Sequence, residues 1–422
     1  MIDLALTDEQ VLLQRTARDF ARGEIAPVAE QVARSRNRDP WPLCAPMFRR
    51  GWELGYTRLL VPESLGGGGG HMIDAAILLE ELGAADVAIA ADLFALNMTV
   101  PMIIVNGGTP DQVRTLLPAI TAQPTMLSGA LSEPNVAGSE LFTRDPSPKM
   151  GIKTHAVRDG DNYRINGQKS AFVTNAGIAD HYFLLARTSL DRPLWESISV
   201  FFVPASIPGL KAGPRTRMSG WLTGHHAEVT LQEVIVPASH LIGGEGAGAR
   251  IMGGLPQMGI GLAAAYLGLA RATYEYALDY GKRRMSMGVP IIEHRSVALK
   301  LTEMYADYHV ARLAVWDAAI DCEVNPLRAA TLKAPPAKTL AVDASIRNAE
   351  RAVQILGAYG ITDEYPTARW LNDAWIGYSC DFTREMLRLG MVSFLPTVDR
   401  LINAELHGMA LYRHLSSHQP LS

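Results

Sequence analysis

The spacing of hydrophobic positions changes twice along this chain, and the changes divide it into three regions. From Thr7 to about residue 127 apolar residues recur at helical intervals. Thr7 and Gln10 supply a T-x-x-Q capping box, followed by Val11, Leu12, Ala17 and Phe20. Five glycines, Gly66 to Gly70, interrupt the pattern before a helix that begins near Met72 and carries Ala75, Ile77, Leu78 and Leu82. That run lacks the Lys-Ser/Thr of a phosphate-binding P-loop, so it reads as a flexible connector. Between residues 128 and 242 short β-branched and aromatic runs take over: YRING (163–167), HYFLLART (181–188), ISVFFVP (198–204) and AEVTLQEVIVP (227–237). Turn residues bound each run, which predicts antiparallel strands. From about Ala247 to Leu411 helical periodicity returns, as in GLAAAYLGLARATYEYALDYGKRR.

Helices, then strands, then helices exclude an alternating parallel sheet and predict an α+β fold that is mostly α. The boundaries expected are an N-terminal helical domain over 1–127, a central antiparallel β-domain over 128–242, a C-terminal helical bundle over 243–411 and a tail over 412–422. A length of 422 residues exceeds one ordinary core and agrees with that division. A net charge of -4 gives no basic field, so no nucleic-acid partner is expected. Cys44, Cys322 and Cys380 are far apart and form no CxxC pair, which favours reduced thiols and a cytoplasmic setting. No basic-then-apolar leader opens the chain and no apolar run is expected to span a membrane, so no membrane insertion is expected. His225 and His226 sit on a predicted loop without metal-ligand spacing, and no metal site is expected.

Candidate chemistry concentrates near the C-terminus. In QILGAYGITDEYPTARWLNDAWIGYSCDFTREMLR (354–388) a helical pattern meets a Gly-Ala-Tyr-Gly break, a proline turn and a second segment that reaches Asp381. Gly357 and Gly360 suit sharp turning or close approach of another molecule. The stretch resembles the C-terminal signature of the acyl-CoA dehydrogenase superfamily, with Asp381 where that family usually has a catalytic glutamate. ALSEPNVAGSE (130–140), NGQKSAFVTNAG (166–177) and GKRRMSMGVPIIEH (281–294) are similar to further family signatures, in the family's order. The resemblance implies FAD as cofactor, with Leu131 and Ser132 along the flavin, Phe172 shielding its ring system and Thr174 reaching its N5/O4 edge. It implies Arg284 on the pyrophosphate of a neighbouring subunit's FAD, Gln354, Gly357, Gly360 and Thr383 as further cofactor contacts, and Ser139 on CoA. A guanidinium fork suits a pyrophosphate, and glycine peptides supply donors where bulk would obstruct the cofactor. A homodimer or homotetramer is implied as well. Apolar positions Leu262, Tyr266, Leu269, Tyr276, Val353, Leu356 and Leu389 would serve either that packing or the core.

Departures from the family pattern carry their own expectations. Asp381-Phe382-Thr383 replaces Glu-Gly-Thr, so the carboxylate reaches roughly 1.5 Å less far. The alternative base position of some relatives falls on Met258, which does not titrate, and the arginine after it becomes Gly259. The chain also resembles nitroalkane oxidases, which use an aspartate base with an arginine seven residues later, the interval from Asp381 to Arg388. The readings are therefore an acyl-CoA dehydrogenase-like enzyme acting on a CoA thioester, a nitroalkane-oxidase-like flavin oxidase, and a base-impaired noncatalytic subunit of a heteromeric assembly. The electron acceptor implied is an electron-transfer flavoprotein or oxygen.

Overall fold

The computed structural model describes residues 5–35, 39–136, 140 and 145–392. The N-terminal region contains α1 (Asp8–Phe20), α2 (Ala26–Ser35), α3 (Trp41–Glu53), α4 (Met72–Ala85) and α5 (Pro110–Thr121). The capping box forms: Gln10 N–H donates to Thr7 Oγ1, and Thr7 N–H donates to Gln10 Oε1. The glycine run corrects the expectation of a flexible connector. Its Gly68, Gly69 and Gly70 N–H groups donate to the carbonyls of Arg58, Val61 and Leu59 over 3.0, 2.9 and 2.8 Å. A Cβ at Gly67 would lie 2.0 Å from Val61 O, so the missing side chains let this turn lie flat on the backbone beneath it.

The middle region is one eight-stranded sheet of β1 (Leu127–Ala130), β2 (His155–Asp159), β3 (Asn162–Thr174), β4 (His181–Arg187), β5 (Ile198–Pro204), β6 (Leu210–Ala212), β7 (His226–Pro237) and β8 (Leu241–Ile242). Its order is β6-β7-β3-β2-β4-β5-β8, with β1 beside β4. The pairing is antiparallel as expected, except that β1 and a single position of β2 run parallel to β4. Two asparagines fasten the sheet to the helices. Asn97 Oδ1 accepts from Leu127 N–H over 2.8 Å, and Asn175 Nδ2 donates to Leu127 O and Asp92 O over 3.0 and 2.8 Å. Asn175 has φ 61°, a left-handed conformation that asparagine tolerates better than most residues.

The C-terminal region contains α6 (Pro256–Arg283), α7 (Arg295–Val324), α8 (Ala334–Leu356), α9 (Thr367–Ser379) and α10 (Arg384–Val392). Helices α4 and α6 meet backbone to backbone, because a Cβ at Gly83 would lie 2.1 Å from Ala265 O and one at Gly268 2.3 Å from Glu80 O. Buried charge joins the helical regions beside that crossing. Glu81 pairs with Arg18 of α1 and Arg271 of α6, and Glu80 with Arg312 of α7. Leu262, Tyr266, Leu269 and Leu356 are consumed by the subunit's own core, so most of the predicted assembly face is interior; Leu389 stays exposed. Residues 89–107 correct the membrane expectation in its literal form. They are long and apolar enough to cross a membrane at mean hydropathy 1.6, yet 83% of the stretch is buried inside the protein.

Candidate active site

Asp381 lies in the turn between α9 and α10. The α-helical path ends at Cys380, whose N–H donates to Ile376 O. Asp381 and Phe382 then take φ values of 48° and 70°, both left-handed, and Thr383 begins the next helix with its hydroxyl accepting from Met386 N–H. An L-residue in that region costs roughly 1–2 kcal/mol, so two in succession need outside support. Lys338, buried on α8, supplies it: its Nζ donates to the carbonyls of Cys380 and Phe382, 2.6 Å from each. Opposite Asp381 is Gly259, where an added Cβ would lie 3.7 Å from Oδ2. Phe382, Met258 and Leu131 all pack on one apolar cluster that runs into the β-domain. Burial raises the pKa of Asp381, and the Lys338 ammonium offsets part of that rise.

A second group of side chains lines β3 and the loop after β1. Ser132 and Ser170 share a 2.8 Å hydroxyl contact, and Ser170 N–H donates to Ser132 O over 3.0 Å. Lys169 secures the same loop from below, donating to Leu131 O and Glu133 Oε1 over 3.0 and 3.1 Å. Two residues beyond Ser170 on β3, Phe172 is 62% exposed. Thr174 Oγ1 lies 3.3 Å from Nε2 of buried His226. The register against β7 shifts between Lys169 and Val173, an irregularity that re-aims side chains.

The third group is at the far end of the bundle. Arg284 caps the C-terminus of α6 and is exposed, with its guanidinium 5.5 Å above the Tyr359 ring. Tyr359 belongs to the 3-10 turn Gly357–Ile361, directly after the exposed Gln354 in the last turn of α8. Gly357 has φ 64° with open space around it, while a Cβ at Gly360 would lie 2.6 Å from Val353 O. The separation is decisive. Twenty-five helical residues at 1.5 Å rise put Gly259, beside Asp381, about 37 Å along the axis from Arg284.

Three successive stretches of the chain match the domains of one family: the acyl-CoA dehydrogenase N-terminal domain over residues 7–124, the middle domain over 128–234 and the C-terminal domain over 229–392. The chain belongs to the acyl-CoA dehydrogenase family. An acyl-CoA dehydrogenase of Bacillus subtilis (strain 168) is 32% identical over 391 residues, covering 92% of this chain and 98% of that protein. The structure of butyryl-CoA dehydrogenase from Megasphaera elsdenii superimposes with a TM-score of 0.85 at 31% identity, covering 93% of this chain and all of the other. The prolyl acyl carrier protein oxidase AnaB superimposes with a TM-score of 0.83 at 25% identity, covering 93% of this chain and 100% of the other.

As an acyl-CoA dehydrogenase family member, the protein is an FAD-dependent oxidoreductase acting on CH–CH groups. Its surfaces suit that cofactor. A large exposed aromatic beside hydroxyl groups on β3 is a face that a planar ring system would cover. An exposed guanidinium near an open glycine peptide has the donor chemistry a pyrophosphate requires.

The structure brings together Leu131, Ser132, Phe172 and Thr174, and separately Arg284, Gln354, Gly357 and Gly360. Asp381 and Thr383 share the turn before α10. Ser139 lies outside the described residues. Arg388 is exposed on α10 and, among the described residues, makes no ion pair. Arg384, four residues before it, is engaged with Asp343 at 3.2 Å. The cation acting on Asp381 is instead Lys338. That residue was missed, although a lone lysine among Ala334, Ala337, Ala341 and Val342 sits on the buried stripe of α8. His226 begins β7 and is packed rather than on a loop. Among the described residues no cluster of His, Cys, Asp and Glu could hold a metal ion.

Proposed function

We propose that the protein dehydrogenates a CoA thioester, with Asp381 removing the α-proton. The observation that carries this reading is the placement of Asp381: a strained turn holds it opposite Gly259, where burial makes its carboxylate a stronger base. FAD supplies the two-electron acceptor. Leu131, Ser132, Phe172 and Thr174 would hold its reactive end, Thr383 would add a contact beside the base, and Ser139 would contact CoA. Phe382 and Met258, on the neighbouring apolar cluster, would limit water at the base. Arg388 keeps a proposed part only if it turns toward Asp381 when substrate is bound.

Arg284, Gln354, Gly357 and Gly360 would hold the pyrophosphate end of a second subunit's FAD. A cofactor seated against Thr174 and Asp381 falls far short of Arg284 in its own chain, so the site is completed by a homodimer or homotetramer. The proposed setting is the cytoplasm, in line with three free cysteines. The electron acceptor proposed is an electron-transfer flavoprotein.

One observation favours a second reading. A cation beside an aspartate base lowers its basicity and suits a more acidic carbon, as in a nitroalkane, and Lys338 provides that cation. Oxygen would then be the acceptor. Anaerobic mixing with butyryl-CoA, isobutyryl-CoA and nitroethane decides between them. Bleaching of the flavin by a thioester, with slow reoxidation in air, supports the dehydrogenase. Bleaching by nitroethane alone, with rapid reoxidation, overturns it, and bleaching by none of them points to a noncatalytic subunit.

A further inference from the structure

Lys338 is 2% exposed, near the start of α8, where the neighbouring buried positions are Ala334, Ala337, Thr339, Ala341 and Val342. A buried ammonium is costly unless its donors are used. Two of its three hydrogens go to backbone carbonyls, those of Cys380 and Phe382, which bracket Asp381. The enclosed residues are the two left-handed ones. Aspartate adopts that conformation with moderate cost, whereas phenylalanine is an outlier there. No glycine is present between Gly377 and Gly390 to relieve the turn. One charged group bonded on both sides of the strained pair holds the turn closed.

We infer that Lys338 is a positioning residue that locks the Asp381 turn in its left-handed conformation and presents a positive charge to the carboxylate. This rests on the reading of Asp381 as the base. The other groups around Asp381 do not replace that charge. The Cys380 thiol is neutral, its pKa pushed up to about 12 by burial. From α6 come Met258 and Gly259, which do not titrate. On α10, Arg384 is engaged with Asp343 and Arg388 is exposed. Burial lowers the pKa of Lys338, while the Asp381 and Asp343 carboxylates raise it, so lysine and aspartate sustain each other's charge.

Three variants of the FAD-loaded protein test this: Lys338→Met, Lys338→Arg and Asp381→Asn. Hydrogen–deuterium exchange over residues 377–387 needs no substrate. Lys338→Met is expected to speed exchange there at least tenfold while the flavin spectrum stays that of the parent. With butyryl-CoA or nitroethane, whichever bleaches the parent, flavin reduction is expected to slow roughly a hundredfold, as for a misplaced reacting group. The acid limb of its pH profile should move to higher pH, because loss of the cation raises the pKa of the base. Lys338→Arg should keep the limb in place and remain slow, since a planar fork does not reproduce two bonds made from one nitrogen. If Lys338→Met does not fold, Lys338→Arg carries the test, and a parental rate with parental exchange in that variant overturns the inference. Parental exchange and an unmoved pH profile in Lys338→Met overturn it also. An Asp381→Asn protein that reduces flavin at the parental rate removes the base reading itself. An inactive Asp381→Asn beside an unaltered Lys338→Met rejects only the role of Lys338.

Discussion

Asp381 and Arg284 stand at opposite ends of α6, and their surroundings differ in kind. The Asp381 turn is closed by its own chain: Lys338 bonds both flanking carbonyls, Gly259 faces the carboxylate, and Phe382 packs on an internal apolar cluster. Arg284 is exposed above Tyr359, beside an exposed Gln354 and an open Gly357. Strain is concentrated at the first end, where two successive non-glycine residues are left-handed, whereas at the second end such values fall on Gly357 and on the exposed Met287. The contrast fits the roles proposed for the two ends: a base needs a fixed position before substrate arrives, whereas donors for a cofactor carried by another subunit must stay open until assembly.

The largest expected effect breaks the closed end. Asp381→Asn should retain FAD and bind substrate yet lose about a thousandfold in flavin reduction, since an amide does not accept the proton. Asp381→Glu should also be slow, because the extra methylene enters the space between Gly259 and Phe382. Stopped-flow bleaching measures both. A glutamate variant faster than its parent on butyryl-CoA would show a shortened dehydrogenase site in which Phe382 is no obstacle.

Next in size is the open end. Arg284→Ala removes a charge-assisted contact worth roughly 1.5–3 kcal/mol, which corresponds to about a ten- to hundredfold loss of FAD affinity. Its own stability should hardly change, because the side chain is exposed, with its guanidinium over the Tyr359 ring. If the site is shared, FAD retention and the dimer or tetramer fraction should fall together. Light scattering alongside flavin absorbance measures this; a stable monomer with full flavin content would reject sharing. Gly360→Ala sharpens the same comparison by steric means. Its Cβ would meet Val353 O at 2.6 Å, so the turn that carries Tyr359 must shift and FAD retention should fall about tenfold or less.

These two ends were not equally legible in the sequence. The fold was readable because β-branched and aromatic runs such as 198–204 and helical runs such as 256–283 are unmixed. The parallel pairing of β1 with β4 was not, since Leu-Ser-Gly-Ala has no alternation and its partner lies some fifty residues on. The glycine run misled because composition suggests freedom, while the hydrogen bonds to residues 58–61 depend on the fold. At the site, the proposed base Asp381 was legible by its interval after the Gly-Ala-Tyr-Gly break. Its partner was not, because a seven-residue interval that crosses a turn into α10 fixes no direction, and Lys338 approaches from forty residues away on another helix. The left-handed conformation of Phe382 leaves no mark in sequence, for the residue that usually marks it is glycine.

The smallest expected effect at neutral pH concerns the interior around His226. Nε2 of His226 lies 3.3 Å from Thr174 Oγ1 and 3.6 Å from Asp92 Oδ2, and Trp221 is tilted against its ring. Burial, with smaller contributions from His225 and Arg215, lowers its pKa to about 4. Between that value and the roughly 6.5 of an unfolded histidine, the unfolded chain binds the additional proton. The contribution of His226 is therefore complete above about pH 6.5 and declines as the pH falls toward 4. Asp92 and Asp373 act in the opposite sense. Burial raises Asp92 well above an ordinary carboxylate and Asp373 to about 7, so their contributions are present in acid and decline as the pH rises. His226→Gln removes the first dependence and leaves the second. At pH 7.5 the variant should be less stable by about 1 kcal/mol, the worth of the Thr174 contact. Toward pH 4.5 the difference should shrink and reverse, by up to roughly 3 kcal/mol in all. Thermal unfolding of parent and variant at pH 4.5, 6 and 7.5 measures it. A difference independent of pH would mean that His226 binds its proton equally well folded and unfolded, and a deficit that grows toward acid pH would mean that it keeps its proton in the folded protein as an ion pair with Asp92.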